Sequence, residues 1–169
     1  MKQNTLKQLF FTPQGRINRQ TYILAYICTT IAFYIAGILT IFITETLDKH
    51  NSFAFISELA LFVFFAIYLY ITTILTIKRF HDINKSGWYS ILLILCFIIN
   101  ISAQLFSEDF ESALNENFAV VFGLFLLAIA ITGLYYSLVL IFKIGTKGEN
   151  RFGKDPLEEI YRAYLNSLK

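Results

Sequence analysis

Four intervals of this chain contain no Asp, Glu, Lys or Arg: Gln20 to Thr44, Leu59 to Ile77, Ser86 to Ser107 and Asn117 to Phe142. An α-helix rises about 1.5 Å per residue and a bilayer's hydrocarbon core is about 30 Å thick, so each interval is long enough to cross it as a helix. The pattern predicts an all-α fold, a four-transmembrane-helix bundle in a single membrane domain over residues 1–169. The expected spans are about 20–44, 59–77, 88–107 and 117–142, with a tail over 143–169. A water-soluble alternative fails on composition: 15% of the residues are charged, against about 25% in ordinary globular proteins. The first interval is also longer than the apolar region of a cleaved signal peptide, about 7 to 15 residues, and no A-x-A-like site follows it, so it reads as a retained helix.

The charges between the intervals alternate in sign. Residues 1–19 carry Lys2, Lys7, Arg16 and Arg19 with no acid, whereas Glu45, Asp48 and Glu58 in the next segment face Lys49 alone. Lys78, Arg79 and Lys85 outnumber Asp82 in the third segment, the charged residues of 108–116 are all acids, and the tail is again net basic. Basic loops are retained in the cytoplasm during insertion, which predicts cytoplasmic N and C termini and a cytoplasmic middle loop. The overall charge of +2 conceals this asymmetry.

Within the four intervals there is no ionisable Asp, Glu, Lys, Arg or His, which counts against a proton-coupled transporter, since such machines keep a relay group at membrane depth. The hydroxyls and amides of Thr29, Thr30, Thr72, Thr73, Thr76, Asn100, Gln104 and Thr132 suit hydrogen bonds between helices or back to their own backbone. Cys28 and Cys96 lie inside spans, as apolar packing residues rather than a disulfide or zinc pair. Ala119 with Gly123, and Gly133 with Ser137, have small-xxx-small spacing, which serves packing within the bundle or between two copies. Tyr22, Trp88 and Tyr89, near span ends, are expected at the headgroup boundary.

Three polar motifs fall on the expected inner face: GRINR at Gly15 to Arg19, KRFHDINKSGW at Lys78 to Trp88, and GTKGENRFGKDP at Gly145 to Pro156. In this order, from about Phe10 to Pro156, they resemble the bacterial inner-membrane proteins grouped as domain of unknown function 805. The matching positions are Gly15, Arg16 and Arg19, then Arg79, His81, Asp82, Ser86, Gly87 and Trp88, then Gly145, Gly148, Asn150, Gly153, Asp155 and Pro156. Family members often carry Arg at the position of Lys78 and Trp at that of Tyr89. The resemblance implies location in the bacterial inner (plasma) membrane and a fold, with no established activity.

His81 and Asp82 are the residues that topology alone does not require. Neighbours on a helix point about 100° apart, so the two need not interact. The other histidine, His50, is expected across the membrane, so no metal site is indicated. A structural reading has Asp82 accepting from backbone amides or from Arg16, Arg79 or Arg151, while His81 ties the turn to a neighbouring loop. Gly87 is expected to supply backbone freedom before the third span. The glycine-rich third motif lacks the G-x-x-x-x-G-K-[ST] pattern of a phosphate loop, and no cofactor is expected. Its end reads as a helix start, with Asp155 as N-cap, Pro156 in the first position and Glu158 completing a capping-box-like arrangement. Leu157, Ile160, Tyr161, Tyr164, Leu165 and Leu168 then form an apolar stripe, which predicts a C-terminal amphipathic helix. Leu6, Leu9, Phe10 and Phe11 suggest a shorter interfacial segment before Pro13 and Gly15.

Three functional readings follow. The first is a non-enzymatic membrane protein whose cytoplasmic cluster contacts anionic lipid headgroups or a protein partner, a second copy of the chain included. That cluster comprises Arg16, Arg19, Lys78, Arg79, His81, Asp82, Lys85, Asn150, Arg151 and Asp155, and its bland counterpart is that the cations only fix topology and hold loops together. The second is an oligomeric small-solute transporter or channel lined by Asn100, Gln104 and the Thr and Tyr residues. The third is a lipid-headgroup enzyme with His81 as acid or base and Asp82 orienting it. No nucleic-acid partner is expected. The readings divide on one observation: whether the cluster surrounds an open cavity or closes on itself.

Overall fold

The structure is a computed structural model that describes residues 6–47, 54–105 and 116–168. Among these every regular element is an α-helix: α1 (Leu6–Phe11), α2 (Arg19–Leu47), α3 (Ala54–Asp82), α4 (Tyr89–Leu105), α5 (Glu116–Phe142) and α6 (Pro156–Ser167). The segments that hold Asp48, Lys49 and His50, and Glu108, Asp109 and Glu111, lie outside the described residues, as do the side chains of Asn100 and Gln104.

Helices α2, α3 and α5 are each long and apolar enough to cross a bilayer, and α4, at 17 residues, is shorter. Helix α2 packs along α3, α3 against α4, α4 against α5, and α5 touches α2, with α1 laid against α3. Large apolar side chains such as Ile31, Ile35 and Ile38 on α2 or Leu124, Leu127 and Ile131 on α5 remain exposed. Apolar surface of this extent is foreign to a water-soluble monomer and suits lipid contact.

Burial is concentrated at one end of the bundle. Ile17, Tyr22, Ala25, Leu75, Phe80, Ile83 and Leu140 form the core there, where α2 begins and where α3 and α5 finish. Tyr22, near the start of α2, is packed into this core and 7% exposed. Trp88, by contrast, is 77% exposed. Gly133 faces α4, since a Cβ there would lie in ordinary van der Waals contact, 3.6 Å, with the Cβ of Cys96, whereas one at Gly123 would meet nothing within 4 Å. Of the two small-residue pairs, the one at Gly133 thus serves packing within the bundle.

Local signals set the helix ends at the buried end of the bundle. Asn18 opens α2, its Oδ1 accepting from the Thr21 amide at 2.7 Å, an N-cap bond that satisfies one orphan donor. Helix α3 runs on through KRFHD, so that only Ile83 to Trp88 form the turn. It closes with the Lys85 amide donating to the Phe80 carbonyl at 2.8 Å and the Asn84 amide to that of His81 at 3.1 Å. Asn84 between them is left-handed, with φ of 58°, completing a Schellman motif. The expected freedom at Gly87 is thus located at Asn84 instead. Gly87 is needed for closeness: a Cβ there would stand 2.9 Å from Ile77 Cγ2 and 3.3 Å from His81 Nε2.

A candidate functional site closed around Asp82

The three motifs meet at this buried end. Asp82 ends α3, Arg79 lies one turn before it, and Arg16 comes from the extended segment before α2. Arg16 donates to Asp82 Oδ1 through Nε at 3.2 Å and Nη2 at 3.0 Å, while Arg79 Nη1 pairs with Oδ2. Both oxygens of one carboxylate are thereby shared between two guanidiniums, and the three residues are 7% exposed or less.

Two cations around one anion would leave an uncompensated buried charge, which is costly unless further acceptors are supplied. Main-chain carbonyls supply them. Arg16 Nη2 donates to Thr146 at 2.5 Å, and its Nη1 to Gly148 at 2.7 Å and Gly153 at 3.2 Å. Arg79 Nε donates to Leu140 at 2.9 Å and its Nη2 to Lys143, carbonyls at the C-terminal end of α5. These are orphan acceptors at the negative end of a helix dipole. The planar fork of arginine serves this many acceptors at fixed angles, as a lysine ammonium would not.

The third motif packs into the remaining space. Gly145 crosses so near Asp82 that a Cβ would lie 2.1 Å from Oδ2, a position open only to glycine. Thr146 returns both its amide, at 2.8 Å, and its hydroxyl, at 2.9 Å, to the Asp82 carbonyl. Asn150 Nδ2 donates to the His81 carbonyl and to Thr146 Oγ1, both at 2.9 Å. Asn150 and Gly153 exchange main-chain bonds across a tight turn, and Gly153 takes a φ of 133°, which glycine adopts without the penalty a Cβ would add.

His81 points away from Asp82, as helical geometry requires. Its Nδ1 lies 3.2 Å from the Gly15 carbonyl, which can only accept, so Nδ1 carries the proton. Its ring stacks on Phe152 at 3.9 Å and 7°. The guanidinium of Arg151 lies 4.6 Å above that Phe152 ring and reaches the Asn84 carbonyl at 3.3 Å, not Asp82. Asp155 holds the end of the motif twice, accepting from the Gly148 amide at 3.0 Å and capping α6 through the Leu157 amide at 2.9 Å.

The other cations of the cluster are dispersed. Lys78 donates to the carbonyls of Gln8 and Leu9, pinning α1 against α3. Lys85 sits 4.9 Å and 5.4 Å from the ring centroids of Tyr89 and Tyr136. Arg19 is exposed, with one long bond of 3.5 Å to the Phe142 carbonyl. The structure thus joins Arg16, Arg79, His81, Asp82, Asn150 and Asp155 in one network and leaves Arg19, Lys78 and Lys85 at its margins. Every buried side-chain nitrogen or oxygen among the described residues has a partner, so the network is closed. Thr146 and Phe152 are members that reading residue types did not single out. Thr146 carries no charge, and Phe152 could be recognised only by knowing what stacks on it.

Helices of membrane-spanning length, closed at one end by a buried Arg-Asp-Arg clasp, define a class of small all-helical membrane protein. The chain belongs to the family described as "Protein of unknown function (DUF805)", whose model matches residues 10–154. Among curated sequences it is similar to the "Uncharacterized protein YiiR" of Escherichia coli strain K12 and of Escherichia coli O157:H7. Each is 27% identical over 164 residues, covering 94% of this chain and 95% of the relative. No solved structure matches.

Proposed function

We propose that this is a non-enzymatic, multi-pass protein of the bacterial inner membrane, with both termini and the clasp in the cytoplasm, whose exposed cations hold anionic lipid headgroups. The observation that carries this reading is a division of labour among basic residues. Arg16 and Arg79 are consumed inside the clasp, while Arg19, Lys143, Lys147, Arg151 and Lys154, close to it in sequence and fold, stay exposed. Each basic residue held near an anionic surface contributes about 1 kcal/mol. Helix α6 extends the same face: Leu157, Tyr161, Tyr164 and Leu165 are exposed, as expected of a helix lying in the headgroup layer. In this reading α4, about 26 Å long at 17 residues, is the fourth span. The basic segments face inward by the positive-inside rule. The geometry gives His81 and Asp82 structural partners in place of substrate-facing ones, which supports a non-enzymatic role.

The test uses the full chain in proteoliposomes that mix phosphatidylglycerol with phosphatidylcholine. Replacing Arg19, Lys143, Lys147 and Lys154 together by Gln should lower the phosphatidylglycerol retained on detergent extraction, measured by mass spectrometry of the bound lipid, with insertion unchanged. Equal retention by the quadruple variant would remove the lipid-binding claim.

A further inference from the structure

Arg19 stands at the seam between the first and last long helices. As the first residue of α2 it is exposed, and its Nη1 makes one bond to the Phe142 carbonyl at 3.5 Å, the long limit for such a contact and readily exchanged for a better acceptor. Lys143, the next residue, is exposed as well, while its main chain is fixed because Arg79 holds its carbonyl. Neither cation is in an ion pair among the described residues. No Asp or Glu occurs within residues 1–44 or 117–148, and both oxygens of Asp82 are taken by Arg16 and Arg79. Two cations thus meet where α2 starts and α5 ends, with no acid to neutralise them.

Further along the same seam, α2, α3, α4 and α5 enclose a cavity of about 360 Å³. Tyr22 and Tyr26 line it from α2, at positions i+3 and i+7 from Arg19 and hence on one helix face. Tyr22 is less than a turn from Arg19, about 4.5 Å along the axis. Leu140 and Ser90, each 1% exposed, close the end next to the clasp, and the lining runs along α3 from Thr76 back to Tyr68, about 12 Å. Tyr26 on α2 and Ala130, Leu134 and Ser137 on α5 are exposed lining residues, so the cavity opens sideways between the two helices whose ends carry Arg19 and Lys143. Phe97, also exposed, lies beside Phe65 at the end away from the clasp.

In the membrane placement proposed above, a sideways mouth faces hydrocarbon, and a space left empty there forfeits the dispersion contacts its walls would otherwise make. Leu69, Leu93, Ile94 and Ile129 supply apolar wall. The hydroxyls of Thr72, Thr73, Thr76, Ser90 and Ser137 donate to main-chain carbonyls three or four residues back. No buried side-chain nitrogen or oxygen among the described residues lacks a partner, so the interior leaves no buried polar group waiting for a polar occupant. The depth suits a hydrocarbon chain and the rim suits a phosphate, and basic pockets between helices on the cytoplasmic side are where anionic headgroups bind. We infer that one anionic phospholipid is held at the α2–α5 seam, its phosphate between Arg19 and Lys143 and one acyl chain inserted into the cavity. The inference rests on the headgroup-binding reading and deepens it, giving that reading a single seat within the bundle.

The experiment uses the full chain in proteoliposomes containing phosphatidylglycerol with a diazirine midway along one acyl chain, and phosphatidylcholine with the same chains as the comparison. Thr72, Thr76 and Cys96 are 8%, 8% and 7% exposed, out of reach of lipid on the outer surface, so photolabel on them reports an inserted chain. Phosphatidylglycerol should label them more than phosphatidylcholine does, while both label the outward-facing Ile31 and Ile35 alike. Arg19→Gln combined with Lys143→Gln should lower the inner labelling by about fivefold for each charge lost, whereas Lys147→Gln combined with Lys154→Gln should leave it unchanged. Ala130→Phe, which narrows the mouth and alters no charge, should also lower it. Labelling confined to outward-facing residues, equal inner labelling by the two lipids, or inner labelling indifferent to the Arg19 and Lys143 substitutions or to Ala130→Phe overturns the inference. The headgroup reading is judged separately by the phosphatidylglycerol retained on extraction, which falls in the quadruple variant whether or not a chain enters the bundle, so the inserted lipid can fail while that reading stands.

Discussion

At the scale of single residues, Asp82 is the member of the clasp with no substitute. Arg16 and Arg79 each have carbonyl acceptors besides the carboxylate, but without that carboxylate two guanidiniums would share a buried space with no counter-charge. Asp82→Asn should therefore destabilise the protein by about 3 to 5 kcal/mol, the cost of removing one partner from a buried ion pair, read as a lowered unfolding midpoint in detergent. Gly145→Ala attacks the same contact sterically, through the 2.1 Å approach to Oδ2. Because both substitutions disturb one interaction, their effects should be clearly less than additive in a double-mutant cycle. The sequence let Arg16 and Arg79 be nominated as partners of Asp82, since opposite charges in an apolar chain must find each other. It could not indicate the carbonyls of Leu140, Lys143, Thr146, Gly148 and Gly153, because a main-chain oxygen looks the same at every position until the fold chooses which ones face a donor.

At the scale of elements, the charge-free intervals anticipated α2, α4 and α5 to within about three residues, the ordinary uncertainty of helix ends. Helix α3 was the exception, beginning at Ala54, five residues before its interval, and continuing through Lys78 to Asp82. Counting charges ends a span where the lipid ends, whereas a helix ends where its backbone finds other partners, here the Schellman turn at Asn84. Helix α6 is a second case, its start legible from Asp-Pro because the chemistry of the cap is local. Asp155 also fastens the clasp loop through Gly148, so Asp155→Ala should cost about 1 kcal/mol, as loss of an N-cap does. Hydrogen exchange should locate that loss, with faster exchange at the Gly148 and Leu157 amides and none of the change spreading into α2 to α5.

For the whole molecule, the alternation of charge between segments is the property that composition averages away, and it bears on orientation rather than on fold. In intact cells, with Cys28 and Cys96 replaced by Ser, a cysteine at Glu45 should react with a membrane-impermeant maleimide, while one at Lys143 should react only after the membrane is opened. The reverse pattern would invert the proposed orientation. The clasp also imposes an order on biosynthesis. Arg79 and Asp82 are one helical turn apart and can pair as soon as α3 exists, and Arg16 has been made before them. The carbonyls of Thr146, Gly148 and Gly153 that satisfy Arg16 belong to a stretch translated only after α5. Until then Arg16 retains unspent donors, so that end of the bundle can close only once α5 and the stretch after it are in place, and a chain arrested before Gly145 is left with Arg16 short of the acceptors that complete the clasp.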